Sequence, residues 1–121
     1  MGLNHSKVKS FSYAIAGFKE AFKKEPNIRT HMLFALLTIA AASVLDFTKS
    51  EWIILLFTIF FVLTLELINT AIEALVNLIS PEIKSEAKIA KDISASVVLL
   101  GAILAALVGA ILFVPKLANF I

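Results

Sequence analysis

Two carboxylates and an amide are the side chains of this sequence best suited to chemistry, and they lie together in Glu66-Leu-Ile-Asn69-Thr-Ala-Ile-Glu73. They directly follow fourteen uncharged residues that are apolar apart from two threonines. A carboxylate costs roughly 2.5 to 3.5 kcal/mol at the centre of a bilayer, so two of them in one apolar helix indicate a use. At about 100° per residue the three side chains share one helix face, which also carries Thr70 and Asn77.

The composition places this polar face in a membrane protein. The 121 residues are 60% hydrophobic with a mean hydropathy of +0.93, whereas soluble domains contain about 45 to 50% apolar residues. One domain covering residues 1–121 is expected. The absence of cysteine excludes disulfides, thiolate nucleophiles and cysteine-bound metals, and glycine only at positions 2, 17, 101 and 109 excludes a P-loop. The net charge of +2 gives no reason to expect a nucleic acid partner.

The elements that position the polar face are predicted to be membrane-spanning helices. Three segments reach the roughly 20 apolar residues that a span needs, namely 28–45, 52–79 and 93–114. Backbone in lipid must satisfy its own hydrogen bonds, so each span is helical. The stretch 46–51 forms a tight turn between the first two spans, with Ser50 as a candidate helix cap.

A fourth helix, of an amphipathic kind, is predicted over residues 7–24. Its basic side chains lie opposite an apolar face, which is typical of a helix that lies in the membrane interface. The Glu25-Pro26 junction ends this helix before the first span. The apolar face consists of Val8, Phe11, Ile15, Phe18 and Phe22.

The basic residues predict the orientation. Nine of the eleven Lys and Arg lie in residues 7–29 and 84–91, and only Lys49 and Lys116 lie elsewhere. By the positive-inside rule the two basic regions face the cytoplasm. With three spans, the N-terminus is then cytoplasmic and the C-terminus lies outside.

The third span carries Gly101, Ala105 and Gly109 at every fourth position, a spacing that lets helices approach closely. Three helices enclose a polar site poorly. A homo-oligomer is therefore expected.

The polar groups of all helices are expected to meet near the cytoplasmic surface. Counting about 1.5 Å per residue from Trp52 places Glu66 roughly 21 Å and Glu73 roughly 31 Å into the membrane. Glu25 and Glu73, near water, could share a Mg²⁺, which takes carboxylate and phosphate oxygens. Glu66 could accept a proton from a lipid hydroxyl as a general base. Phosphoryl transfer needs mainly positioning and charge neutralisation. Lys91 could neutralise the charge of the phosphate groups.

Each of these interpretations has a plainer alternative. The polar face could be a helix contact that fixes an oligomer, and the basic stretch 84–91 could anchor to anionic headgroups. Arg29 and His31 are expected to be interface anchors. Ser94 and Ser96 are expected only to pack.

Two stretches resemble the prokaryotic diacylglycerol kinase family: Glu-Leu-Ile-Asn-Thr-Ala-Ile-Glu-Ala-Leu-Val-Asn at 66–77, and Ala-Lys-Ile-Ala-Lys-Asp at 87–92. The second stretch, with Glu-Pro-Asn-Ile-Arg-Thr-His at 25–31, is closer to the Gram-positive branch, the undecaprenol kinases. The resemblance implies a homotrimer with active sites shared between subunits. It also implies transfer of the γ-phosphate of Mg-ATP to a lipid hydroxyl.

The resemblance further implies a role for each matching residue. Glu66 matches the catalytic base, and Glu25 and Glu73 match the Mg²⁺ ligands. Asn77 departs from the family pattern, which has Asp there, and so puts a supporting charge contact in doubt. The matching nucleotide contacts are Tyr13, Asn69, Glu82, Lys91 and Asp92.

The expected function is therefore that of a lipid kinase in a bacterial plasma membrane, acting on undecaprenol first and on diacylglycerol as the second candidate. Outside this class, a small proton-coupled exporter or a non-enzymatic membrane subunit is the alternative. An exporter needs a carboxylate that is reachable from both sides, whereas the outer halves of the spans are apolar. A structural subunit would tolerate the loss of Glu25 or Glu73.

Overall fold

The computed structural model describes residues 6–82 and 84–121, which form four α-helices and no strand. Helices α2, α3 and α4 are long and apolar enough to cross a membrane, and the prediction of three such helices is confirmed. Helix α4 begins at Ser85, before residue 93, the predicted start of the third span. The helices are α1, Lys7–Lys24; α2, Pro26–Val44; α3, Lys49–Ile79; and α4, Ser85–Phe120.

The junction between α1 and α2 is set by a proline and an arginine. Pro26 occupies the first turn of α2, where backbone N–H groups have no carbonyl partner within the helix. The N–H that proline lacks is therefore not needed there, and a new helix can begin at this residue. The Arg29 guanidinium donates to the backbone carbonyl oxygens of Phe22 and Lys23 at 2.7 and 2.9 Å. These carbonyls belong to the last turn of α1, where carbonyl oxygens have no N–H partner within their own helix. Arg29 therefore caps α1, a role that its sequence position did not indicate.

A capping box closes the turn between α2 and α3. The Thr48 hydroxyl accepts from the Glu51 backbone N–H at 3.2 Å, and the Glu51 carboxylate accepts from the Thr48 backbone N–H at 2.9 Å. The expectation that Ser50 caps this helix is therefore wrong. From α4, Lys116 reaches the Glu51 carboxylate at 3.0 Å and the Asp46 carbonyl oxygen at 3.2 Å. These contacts tie the end of α4 to the turn.

The buried core is small and lies at this same end of the bundle. The Phe47 ring lies 4.9 Å from the Phe113 ring and 6.0 Å from the Trp52 ring, measured between centroids. Most large apolar side chains elsewhere on α2, α3 and α4 are exposed in the single chain. Lipid or further helices must cover such a surface. The buried members of this cluster are Ala42, Phe47, Leu55 and Leu112.

Helices α3 and α4 form the most extensive helix pair of the fold. A Cβ atom added at Gly101 would lie 2.6 Å from Cδ1 of Leu65, so a side chain here would force a shift. Gly109 has no atom near enough to limit a side chain within the described chain. Of the two glycines on α4, Gly101 is therefore the one that limits how closely α4 approaches α3.

Candidate functional site

The centre of the candidate site is Glu66, whose side chain is 0% exposed. Neither of its carboxylate oxygens has a hydrogen-bond partner among the described residues. Burying a polar group without a partner costs about 1 to 3 kcal/mol, and more for a charged group. Such an exception in a folded protein needs an explanation, and the simplest one is a ligand that supplies the missing donor.

Helix α2 brings a histidine to this carboxylate. The His31 Nε2 atom lies 3.6 Å from Glu66 Oε2, and the His31 side chain remains 24% exposed. The Asn27 side chain, one turn earlier on α2, also lies near the Glu66 carboxylate. The carboxylates of Glu25 and Glu73 are close enough to act on Glu66 through their charge. The predicted base therefore lies within electrostatic range of both predicted metal ligands.

A short hydrogen-bond network holds Asn69, one turn beyond Glu66 on α3. The Ser94 hydroxyl, from α4, donates to Asn69 Oδ1 at 2.6 Å, and Asn69 Nδ2 donates to Glu73 Oε1 at 3.5 Å. Ser94 and Asn69 are 4% and 7% exposed. Because Ser94 occupies the amide oxygen, the amide nitrogen turns toward Glu73.

Ser94 is therefore a buried residue, as expected of a packing position, and it is also hydrogen-bonded to a residue of the candidate site. Its neighbour Ser96 instead donates to the carbonyl oxygen of Ile93 in its own helix at 2.6 Å. Spacing along the chain does not distinguish the two serines, because the partner of Ser94 lies on another helix. The only signal for this contact in the sequence was the presence of a serine within an apolar span.

Two carboxylates near Glu66 are free to take a ligand. Glu25 occupies the N-cap position of α2, but its side chain makes no capping hydrogen bond. Glu73 is half-buried and holds only the long contact to Asn69. The described residues contain no group of three metal-ligating side chains that could hold a metal by themselves. The donor set suits Mg²⁺, which usually takes one or two carboxylates and completes its shell with phosphate oxygens and water.

The predicted nucleotide contacts on α4 are not joined to this network. Asp92 is exposed and pairs with Lys88 of its own helix at 2.6 Å. Lys91 is half-buried and forms no hydrogen bond or ion pair with any described residue. Its ammonium group is thus available to an anion.

The remaining predicted contacts lie on α1 and in the turn after α3. The Tyr13 side chain is half exposed on α1. Glu82 is exposed, and its backbone carbonyl accepts from the Ser80 hydroxyl at 2.8 Å. No hydrogen bond or ion pair in the described chain connects the Glu82 side chain to Glu66. Asn77, which departs from the family pattern, is exposed on the last turns of α3.

An apolar groove reaches His31, the neighbour of the Glu66 carboxylate. A cavity of about 140 Å³ runs between α2, α3 and α4, with His31 at one end and Phe113 at the other. Its only other polar side chains are Thr38 and Thr58, and both hydroxyls donate to carbonyl oxygens of their own helices. The groove therefore offers a polar contact only at its His31 end.

Comparison with known proteins places this arrangement in a class and then in a family. The relatives are enzymes named as kinases of lipid alcohols, so the class is that of the membrane lipid kinases. Residues 12–113 match the family described as prokaryotic diacylglycerol kinase. The chain belongs to this family, and the resemblance stated from its motifs is confirmed.

Individual relatives carry two different names. The chain is 42% identical over 111 residues to a diacylglycerol kinase of Synechocystis, covering 91% of this chain and 63% of that protein, which is less than two thirds of its length. It is 35% identical over 109 residues to the undecaprenol kinase of Bacillus subtilis, covering 90% and 89%. It is 30% identical over 105 residues to the diacylglycerol kinase of Escherichia coli, covering 87% and 86%.

Proposed function

We propose that the protein is an undecaprenol kinase, which transfers the γ-phosphate of Mg-ATP to the hydroxyl of this membrane lipid alcohol. One observation carries the proposal: a fully buried carboxylate, Glu66, with no hydrogen-bond partner among the described residues, lies 3.6 Å from His31, which lines the polar end of an apolar groove. The groove suits a hydrocarbon chain. A terminal hydroxyl on that chain would meet an acceptor for its proton where the chain ends.

In this proposal Glu66 is the general base. It accepts the proton of the lipid hydroxyl as that oxygen attacks the γ-phosphorus, a new P–O bond forms, and the bond to the bridging oxygen of ADP breaks. The Asn27 side chain lies near this carboxylate, but neither Glu66 oxygen has a hydrogen bond of good geometry among the described residues, so both are available for this. Burial keeps water from the same carboxylate.

The residues around Glu66 would bind the donor nucleotide. Glu25 and Glu73 would hold Mg²⁺, which neutralises phosphate charge when it is bound. Asn69 steers the Glu73 carboxylate through its amide nitrogen. The unpaired ammonium of Lys91 would meet a phosphate. The further nucleotide contacts in this proposal are Tyr13, Asn69, Glu82 and Asp92.

The choice of acceptor rests on the lining of the groove. Undecaprenol is a hydrocarbon with one hydroxyl, whereas diacylglycerol also carries two ester groups. The hydroxyls of Thr38 and Thr58 are already bonded to their own helices, so beyond the His31 end the groove walls offer no free donor to an ester carbonyl. This favours undecaprenol over diacylglycerol, the second candidate, although relatives carry both names.

The same proposal includes a homotrimer with shared sites and a cytoplasmic N-terminus. The exposed apolar side chains on α3 and α4 give each chain the surface that such packing needs. Lys91 and Asp92 have no bond to Glu66 within one chain, so a neighbouring chain is the natural source of those contacts. An exporter is less well supported, because the groove ends against the aromatic ring of Phe113.

The test is phosphoryl transfer in vesicles. The purified protein is reconstituted with Mg-ATP labelled at the γ-phosphate and with either undecaprenol or diacylglycerol, and label in the lipid fraction is counted. We expect faster labelling of undecaprenol, and an activity loss of at least 100-fold in Glu66→Gln. No label in either lipid from a folded protein would overturn the kinase assignment, and faster labelling of diacylglycerol would overturn the acceptor assignment alone.

A further inference from the structure

We infer that His31 is a positioning residue for the Glu66 carboxylate and marks the hydroxyl end of the acceptor groove. The inference rests on the proposed function and adds to it a residue outside the predicted site. The sequence placed His31 among interface anchors. The structure places its imidazole against the most buried carboxylate of the described chain.

The imidazole of His31 lies just beyond hydrogen-bonding distance of the Glu66 carboxylate. The separation of 3.6 Å between His31 Nε2 and Glu66 Oε2 is slightly longer than a hydrogen bond. Contacts in an active site without substrate are often long and shorten when the substrate binds. A neutral imidazole carries one N–H, and donation from Nε2 would hold one Glu66 oxygen. The second oxygen is then left to face the acceptor hydroxyl.

The location of His31 separates this role from simple packing. The side chain is partly exposed, and it lines the groove as well as contacting Glu66. A lipid hydroxyl that reaches Glu66 along the groove therefore passes the imidazole. Ser43 lies further along α2 and does not line the groove; it is exposed, and its hydroxyl donates to the carbonyl oxygen of Ile39 in its own helix at 2.9 Å. It provides a control hydroxyl on the same helix, away from the groove.

The experiment compares three variants in vesicles, with kcat and the KM for ATP and for lipid measured separately. His31→Leu removes the donor, His31→Gln keeps an N–H of similar reach, and Ser43→Ala removes a hydroxyl from α2 outside the groove. We expect His31→Leu to lower kcat about 10- to 100-fold with the KM for ATP within twofold of wild type. His31→Gln regains most of the loss, and Ser43→Ala changes neither value more than twofold.

The inference is overturned if His31→Leu keeps kcat within twofold, or if His31→Gln is as slow as His31→Leu. Should the leucine variant not fold, His31→Asn replaces it, because its shorter amide stops short of Glu66. A readout independent of activity uses ¹⁵N-labelled histidine, with His31 assigned by its loss in His31→Gln. Glu66→Gln must shift the His31 Nε2 resonance, and an unchanged resonance refutes the contact even if no lipid is phosphorylated.

Discussion

Replacing Ser94 with alanine removes one hydroxyl from the site while leaving every predicted catalytic and binding residue in place. In the wild type that hydroxyl donates to Asn69 Oδ1 at 2.6 Å in a buried setting. Without it, the amide oxygen of Asn69 loses its partner. The amide is then free to turn over, which presents oxygen to the Glu73 carboxylate and repels it.

The magnitude follows from the hydrogen bond that is lost. A net contribution of about 0.5 to 1.5 kcal/mol holds the amide in its working orientation, and about 1.4 kcal/mol corresponds to a factor of ten in population. We therefore expect Ser94→Ala to lower kinase activity about 2- to 10-fold. Because Asn69 steers Glu73, the Mg²⁺ concentration for half-maximal rate should rise by a similar factor.

The assay is lipid phosphorylation over a range of Mg²⁺ concentrations at saturating ATP. Ser96→Ala is the matched control, since the Ser96 hydroxyl bonds only to its own helix. It should leave both the rate and the Mg²⁺ dependence unchanged. Equal curves for Ser94→Ala and Ser96→Ala would refute the claim that Ser94 orients the amide.

Three further predictions concern the metal and the packing of the helices. Glu25→Gln should raise the Mg²⁺ requirement at least 10-fold, because one of two carboxylate ligands is lost, as titration of the rate with Mg²⁺ will show. Lys116→Met should lower stability by about 1 to 2 kcal/mol, seen as an earlier thermal transition in detergent, with kinase activity kept because the change is far from Glu66. Gly101→Ala should lower the same transition, because its Cβ meets Leu65.

Each of these has a control and an opposing result. Glu20, which forms an exposed ion pair on α1, is the control for Glu25, and Glu20→Gln should leave the Mg²⁺ requirement unchanged. An unchanged requirement in Glu25→Gln would exclude Glu25 as a ligand. Lys49→Met is the control for Lys116→Met, and equal transitions in the two would show that the contacts to the turn add nothing. Gly109→Ala should be neutral or stabilising, since alanine favours a helix by up to about 1 kcal/mol. A larger loss at Gly109 than at Gly101 would contradict the packing described here.

The sequence was sufficient to predict the helices, because their length and apolar content are dictated by lipid. The break at Glu25-Pro26 follows equally from the restricted backbone of proline. The cap at Thr48 could also have been found, because Glu51 follows three residues later and completes a capping box that Ser50 cannot form.

The contacts of His31 and Ser94 could not be predicted in the same way. Each joins two helices, so it depends on how those helices are rotated and shifted against each other. That register is fixed by packing such as the Gly101 contact with Leu65, which no local pattern encodes. The angular and axial positions counted along the helix could place Glu66, Asn69 and Glu73 on one side of α3. They could not show which side chains of α2 and α4 would face them.

The bonds from Arg29 to the end of α1 have a mechanical consequence. They span the junction and enclose Glu25 in a loop closed by hydrogen bonds to Phe22 and Lys23. The junction between α1 and α2 is therefore held by two hydrogen bonds in addition to the chain itself. A displacement of α1 relative to α2 would be passed through Arg29 to the stretch that carries the Glu25 carboxylate.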